Sequence, residues 1–490
     1  MSALLMTVFV PLMGTLVLAG IRSLQLAGRL NLGFCATTLA AALGLALRIL
    51  QGGDLTGHGF HVDAFNVYLV VLTAFVGLTT AIFSRPYMAH VCREGRVTER
   101  RMRLYHSMFQ GFLFTMLLAL TTDNLGVLWV AVEGATLATV LLVSLYRTPE
   151  SIEAAWKYFI LCGVGIALAL FGTVLVYFAA QHALADPSRG LSWTVLYGEA
   201  ARLHPTVMAI AFVFLLVGYG TKVGLVPLHN WLPDAHSEGP TPMSAVLSGL
   251  LLNVALYAVV RFKMLVDGAL VASDQPGIAG ELMMGFGLIS FLVAGLFLHR
   301  QRDIKRMFSY SSIEHMGLMT FAFGIGGPLA TFGALLHMLV HSLTKSAIFV
   351  TVGHASHIAG TQTIEQIRGL IRTQPAVGWG LLIGVAAIAG FPPFGVFTSE
   401  FLLLSATMQS WPWLTSVLLF GLVVAFAGLF RHLHPMVYGK APEGQQPVAA
   451  NMLPVMVHLG LVLWLGIAIP AFLAHWLDQA TWLISGGHLL

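Results

Sequence analysis

Charge is scarce in this chain. Only 9% of its 490 residues are Asp, Glu, Lys or Arg, where a soluble domain carries about 25%. Cysteine is nearly missing too. Cys35, Cys92 and Cys162 stand alone with no CxxC spacing, which excludes a Cys-ligated iron–sulfur cluster within the chain and argues against a disulfide framework. There is no GxGxxG, P-loop, HExxH or CxxCH pattern, so no cofactor and no resident metal is expected from motifs. The N-terminal MSALLMTVFVPLMG lacks a basic region and a small-residue cleavage site, and reads as a first membrane helix, not a removed signal. A net charge of +4 does not point to nucleic acid.

What is abundant is apolar sequence. Hydrophobic residues make up 57% of the chain, in runs of roughly 20 that match the ~30 Å hydrocarbon core of a bilayer. The expected fold class is an all-α polytopic membrane protein of about fourteen transmembrane helices. A β-barrel would instead show alternating segments of ~10 residues. The spans are expected near 2–20, 31–50, 64–83, 107–121, 124–146, 154–180, 205–226, 242–263, 280–298, 306–325, 329–355, 376–407, 414–430 and 453–475. The longest polar loops fall at 84–106, 181–204 and 431–452, and LSWTVLYGEAARL (191–203) reads as either a surface amphipathic helix or an ordinary loop. Loops after odd-numbered spans hold seventeen of the twenty-five Lys and Arg, loops after even-numbered spans five, Arg261 among them. The positive-inside rule then puts the odd loops in the cytoplasm and both termini outside. His58, His61, His432 and His434 read as loop residues.

Three basic residues, Lys157, Lys222 and Lys345, fall within or at the mouths of spans. A charge at the bilayer centre costs at least ~2.5–3.5 kcal/mol, so such residues usually face a protein interior or water. In GYGTKVGLVPLHNWLPDAHSEGPTP (218–242), Lys222 lies deep in a span that Pro227 breaks, and His229, Asp234, His236 and Glu238 follow. A proline frees a backbone carbonyl, and broken helices at membrane depth characterise transporter and ion-path sites. Glu133 is mid-span in LWVAVEGATLATVLL. In HMLVHSLTKSAIF, His337, His341 and Lys345 recur every fourth residue and share one helix face. The histidine pair could hold a metal, but no third ligand is evident. Glu400 follows a second break at Pro392–Pro393 in AIAGFPPFGVFTSEFLLL. Lys305 sits in RQRDIKRMFSYSSIEHMG, with Glu314 and His315 further along. Structural readings stand beside the functional ones: Lys157, Lys222 and Lys305 as interface anchors, Glu400 as an interface-facing glutamate, Glu133 as a bond to a neighbouring helix, and His337, His341 and Lys345 as structural hydrogen bonds.

The two broken helices lie five spans apart. An odd offset implies inverted repeats, a transporter signature. The chain is expected to divide into helices 1–3 with a cytoplasmic loop (1–106), a first repeat of helices 4–8 (107–263), a second repeat of helices 9–13 (280–434), and helix 14 with a tail (453–490).

TKVGLVPLHNWLPDAHSEGPTPMSAVLSG, DIKRMFSYSSIEHMG and HMLVHSLTKSAIF together resemble the antiporter-like membrane subunits of complex I, Mrp-type Na+/H+ antiporters and energy-converting hydrogenases. Within that family, SSIEHMG and HSEGPTPMSAVLSGLLLNVALYAVVRF are most similar to the hydrogenase-4 component F group. The resemblance implies a fourteen-helix core with two inverted five-helix bundles. It matches Glu133 to the family's helix-five glutamate, Lys222 to its helix-seven lysine, Lys345 with its histidines to the central relay, and Glu400 to the helix-twelve site. One departure is Asn253, where close complex I relatives carry lysine. Asparagine cannot carry a proton charge, so the link between half-channels must use water or histidine. The short tail after the last span lacks the lateral helix of the distal complex I member, which implies an internal or single position.

The expected function is therefore a non-catalytic, proton-translocating subunit of a redox-driven bacterial membrane complex. Its partners would be other membrane subunits and, through them, a peripheral redox arm. The residues expected on the proton path are Glu133, Lys222, His229, His236, Lys305, His337, His341, Lys345 and Glu400, with Lys157, Asp234, Glu238, Asn253 and His315 as further candidates. The alternative is a subunit of a cation/proton antiporter or a bicarbonate-uptake system not driven by redox chemistry.

Overall fold

The chain was analysed as a computed structural model, which describes residues 1–181, 183–273, 275–441 and 450–490. Parts of two expected loops, His182 and 442–449, lie outside the described residues. The helices are α1 (Ser2–Gly20), α2 (Leu24–Gly52), α3 (Ala64–Arg93), α4 (Glu99–Thr121), α5 (Leu125–Val143), α6 (Pro149–Gln181), α7 (Trp193–Gly198), α8 (Pro205–Val223), α9 (Trp231–Glu238), α10 (Thr241–Val246), α11 (Leu252–Leu270), α12 (Ile278–Leu298), α13 (Ile304–Ile325), α14 (Gly327–Ala359), α15 (Leu370–Thr373), α16 (Pro375–Ile388), α17 (Gly395–Ser410), α18 (Pro412–Tyr438), α19 (Leu453–Ile467) and α20 (Ala471–Ser485). A π-helical turn, Leu247–Leu251, joins α10 to α11. A hairpin of β1 (Leu55–Gly57) and β2 (Phe60–Val62) precedes α3.

Among the described residues, eleven helices or continuous helical rods are long and apolar enough to cross a membrane by themselves. The other three expected spans are present in altered form. α13 is full-length but carries Lys305, Arg306, Glu314 and His315. The span at 376–407 is the interrupted pair α16–α17. The last span stops at Ile467, and the chain turns by 80° into α20 instead of continuing to 475. The expected 84–106 loop is also corrected: α3 runs to Arg93 and α4 starts at Glu99. His432 and His434 lie within α18, not in a loop.

The most apolar windows of the α10–α11 rod and of α14 are almost wholly buried, whereas those of α1, α2, α6, α12 and α18 are mostly not. The first two form the axis, and the others present apolar faces outward. Close backbone approach holds two helix pairs, as small residues allow in membrane bundles. A Cβ at Gly218 of α8 would lie 2.5 Å from the Ala169 nitrogen of α6, and one at Gly280 of α12 would lie 2.6 Å from the Gly324 carbonyl oxygen of α13.

Both termini lie at the hairpin end. Met1 approaches Gly57, and Trp476 of α20 donates to the Ala64 carbonyl at 2.9 Å. The opposite end carries Arg93, Arg96, Arg100 and Arg101. At the hairpin end, Arg261 is buried in α11, against its expected place in a loop. It pairs with Asp63 at 2.6 Å, donates to the Tyr257 hydroxyl at 3.0 Å and lies under the Trp193 ring at 4.4 Å. Trp193 belongs to α7, so the 191–203 segment forms a short helix docked over a buried ion pair. His61, expected in a loop, is likewise buried and bonds Asp63 at 3.2 Å. Asp63 also caps α3 through the Phe65 and Asn66 amides.

Removing one partner of a buried ion pair strands the other, at about 3–5 kcal/mol. Arg261→Met is expected to lower the thermal stability of the purified chain by that order. Asp63→Asn in the Arg261→Met background, which keeps the cap and removes the stranded charge, should recover most of the loss in the same melting assay.

Candidate ion-translocation site

Why α8 stops where it does is plain from its last turn. Gly224 takes a left-handed φ of 86° and its amide returns to Gly220 and Thr221. Pro227 cannot donate to a continuing helix. The freed groups are satisfied locally: the Val226 amide donates to Ser290 Oγ at 2.9 Å, and Trp231 Nε1 donates to the Thr221 carbonyl at 2.8 Å. Lys222 is thereby fixed, fully buried, at the break. Its Nζ lies 3.9 Å from Glu133 Oε2 on α5. The Thr136 hydroxyl stands between them, accepting from Lys222 and donating to Glu133 at 3.1 Å. Lys222 also lies 5.3 Å from the Tyr158 ring centroid. Tyr158 stacks on Trp231 at 4.4 Å, and its hydroxyl meets Thr139 Oγ1 at 2.7 Å.

A second, larger cluster starts at His236 and extends over α13, α14 and α17. His236 on α9 is buried against the Phe349 ring at 4.8 Å, and neither of its nitrogens has a hydrogen-bond partner within the protein. Lys305 and Lys345 are both within electrostatic reach of it. Lys305 donates to the Gly239 carbonyl at 2.8 Å, just past the end of α9. Lys345 donates to the Phe308 carbonyl at 3.2 Å and interacts with Glu314, which interacts in turn with Glu400. All of these side chains are buried.

Beside them runs a histidine chain. His315 Nδ1 meets His337 Nε2 at 3.0 Å, and His337 Nδ1 meets Ser399 Oγ at 2.8 Å. His341 packs 5.5 Å from His315, ring to ring. Ser399 donates to the Val396 carbonyl, so the hydrogen-bond inventory assigns His337 Nδ1–H to donate to Ser399, and His315 Nδ1–H to His337. Ser399 neighbours Glu400 on α17. The break before α17 is shaped around that carboxylate. Gly390, at φ 70°, leaves space that a Cβ would take from Glu400 Oε2.

The structure thus gathers Glu133 with Lys222, and His236, Lys305, His315, His337, His341, Lys345 and Glu400 into a second group. Asn253 joins α11 to α14 through Ser342 at 2.7 Å and the Met338 carbonyl at 3.2 Å, close to the histidines but outside their chain. His229 is buried among Phe297 and Tyr310 rings. Glu238 bonds Ser237 and faces Lys305. Asp234 stands apart: it pairs with Arg306 and, at 3.4 Å, with Lys157. Lys157 is half-exposed and also pairs with Glu153 at 2.7 Å, so both residues sit in a partly exposed network that ties α9 to α6 and α13. Sequence reasoning had not placed Thr136, Tyr158, Glu314 or Ser399 on the path. Glu314 and Ser399 each adjoin a residue already singled out, which was the available signal; the other two are ordinary residues whose role is visible only in three dimensions.

Titratable and polar residues of these types, enclosed around two broken helices, are the arrangement that an ion-translocating membrane subunit requires. The family described as NADH:quinone oxidoreductase/Mrp antiporter, TM, matches residues 122–426, and the chain belongs to that family. The hydrogenase-4 component F homolog of Methylacidiphilum infernorum (isolate V4) is 48% identical to it over 99% of this chain and 100% of its own length. Among solved structures, a chain of the archaeal membrane-bound sulfane sulfur reductase superposes with a TM-score of 0.88 at 23% identity, covering 99% of this chain and 98% of that one. A chain of respiratory complex I from Thermus thermophilus gives 0.76 at 22% identity, covering 95% and 97%. At these identities the two likenesses establish the fold.

Gly390→Ala is expected to destabilise the chain by about 1–3 kcal/mol through overlap with Glu400, on top of roughly 1 kcal/mol for a left-handed alanine. Measured against Glu400→Ala alone, adding Gly390→Ala should then show only the backbone part. A full penalty in that background would mean that the carboxylate is not what the glycine accommodates.

Proposed function

We propose that this chain is the proton-translocating membrane subunit of a redox-driven complex of the hydrogenase-4 or complex I type. It sits in the bacterial inner membrane with its arginine-rich end in the cytoplasm and both termini outside, beside other membrane subunits that link it to a peripheral redox arm. Residues 107–263 and 280–434 act as two inverted units, with 1–106 and 453–490 flanking them.

The observation that carries this reading is the enclosed group of Lys345, Glu314, Glu400 and three histidines. A charge at the bilayer centre is costly, and a buried polar atom without a partner forfeits about 1–3 kcal/mol. His236, His341, Glu314 and Glu400 each hold such an atom. Retaining all four is reasonable if water and mobile protons serve them, as at ion sites in transporters.

In this reading Lys222 stores a proton and exchanges it through the Thr136 hydroxyl with Glu133. One turn further towards the arginine-rich end, Thr139 bonds the Thr136 carbonyl and the Tyr158 hydroxyl, so water is needed to join them to the Thr136 hydroxyl. Lys222 and His236 lie on the two sides of the α8–α9 break, where the two clusters communicate by charge and through water. In the larger cluster, Lys305 and Lys345 share protons with His236 and Glu314. His315 gains a proton at Nε2 and passes its Nδ1 proton to His337 Nε2, His337 passes its Nδ1 proton to Ser399 Oγ, and the Ser399 hydroxyl turns from the Val396 carbonyl to release its own proton to water on the way to Glu400. Glu400 exchanges with the outside.

The test is the intact complex reconstituted in vesicles. Lys222→Ala should abolish proton pumping coupled to electron transfer, while the complex still assembles with its full set of subunits. Loss of assembly would mean that Lys222 is structural. Ion flux that persists without the redox reaction and depends on Na+ would place the chain in an antiporter instead.

A further inference from the structure

Three side chains at the arginine-rich end remain outside the path described above. His90 and Glu94 lie one turn apart at the end of α3, and His357 lies in the last turn of α14. His90 Nε2 meets Glu94 Oε1 at 2.8 Å, His357 Nε2 lies 3.9 Å from the same oxygen, and the imidazole centroids are 3.8 Å apart. One donor atom from each residue falls within 4.8 Å of the other two. We propose that His90, Glu94 and His357 form a divalent transition-metal site, with zinc as the best-matched ion, that ties α3 to α14.

Stability does not account for the cluster. An exposed His–Glu pair contributes about 0–1 kcal/mol, and two imidazoles in contact repel when both are protonated. Neutral, they present lone pairs converging with a carboxylate. Zinc with N and O ligands at about 2.0–2.1 Å takes such three-residue sets and leaves a fourth position to water. Tetrahedral geometry at that bond length separates donors by roughly 3.3 Å, and the observed 2.8 and 3.9 Å straddle this value. All three side chains are partly exposed, so an ion can reach them. Arg96 lines the same hollow and Arg93 the adjoining one. The arginines repel any dication alike; it is the two imidazole donors that favour a metal with affinity for nitrogen over hard ions such as Ca2+ or Mg2+, which take oxygen ligands.

The position gives the site a consequence. Glu94 and His357 line a cavity of about 680 Å3 that also exposes Tyr87, Arg96, Thr241 and Lys305. Lys305 begins the buried second group. An ion held by His90, Glu94 and His357 would therefore close the approach to Lys305 and fix the end of the helix that carries His337, His341 and Lys345. This second statement rests on the proton reading; the metal site itself does not.

The test uses the purified full-length chain and the intact complex. Calorimetric titration with ZnCl2 should give one site per chain, weakened tenfold or more in His357→Ala and in Glu94→Gln, and unchanged in the distant control His432→Ala. Equal zinc affinity in wild type and in the His90→Ala/Glu94→Gln/His357→Ala variant overturns the site. In vesicles, zinc should slow proton uptake by the wild-type complex and spare His357→Ala. Binding at these residues without slowed uptake overturns the closure. Failure of the proton reading is seen separately, as metal-free uptake that Lys222→Ala leaves intact.

Discussion

A lysine with no access to lipid or solvent must find its partners inside the protein, and the fold around Lys222 is organised by that requirement. Moving a charge out of water is expensive, and attraction to a partner repays it only with good geometry and satisfied hydrogen bonds. Here the partner carboxylate is on a different helix, Glu133 of α5, with Thr136 between. The helix must end at the lysine, because the turn at Gly224 is what releases the chain to run on as α9. The aromatic pair Tyr158–Trp231 closes one side and uses its indole N–H on a carbonyl the break has freed. Each of these features would be a defect in an ordinary transmembrane helix. Together they hold one ammonium group at a defined depth.

The larger cluster meets the same constraint differently. Instead of one lysine and one carboxylate, it holds two lysines, two carboxylates and a row of imidazoles that bond each other. Histidine suits this because it donates at one nitrogen and accepts at the other, so a chain of rings can reverse its polarity without moving. Asn253 lies beside this chain and bonds α14, but its amide has no proton to give up at biological pH. The two α14 residues it bonds, Met338 and Ser342, directly follow His337 and His341 in sequence, in keeping with a link that does not need a lysine on α11.

Much of this was legible from the residues alone. Length and hydropathy identify most spans, because burying apolar surface is a local property of each segment. Proline marks both breaks, and a titratable residue in an apolar run is conspicuous wherever it occurs. What stayed hidden was every feature that depends on which helices touch. Arg261 looks like a loop arginine until Asp63, Tyr257 and Trp193 are seen around it. The polar stretch after 84 looks like a loop, yet it is mostly helix, because α3 and α4 run past the apolar core and carry their arginines at their ends. Thr136, Tyr158 and Ser399 have no sequence signature. The turn at Ile467 also escaped notice, since α19 and the start of α20 together read as one apolar run.

The glycine contacts between α6 and α8 and between α12 and α13 have a mechanical meaning. Where a Cβ would strike the neighbour's backbone, the neighbour fits only one rotation and one height, since packed interiors do not deform continuously. α8 and α13, which carry Lys222 and Lys305, are clasped in this way on one flank. Neither can piston or roll without losing that fit. Any displacement of α8 must therefore carry α6 with it, and any displacement of α13 must carry α12, so the two lysine-bearing helices move, if at all, as halves of two rigid couples.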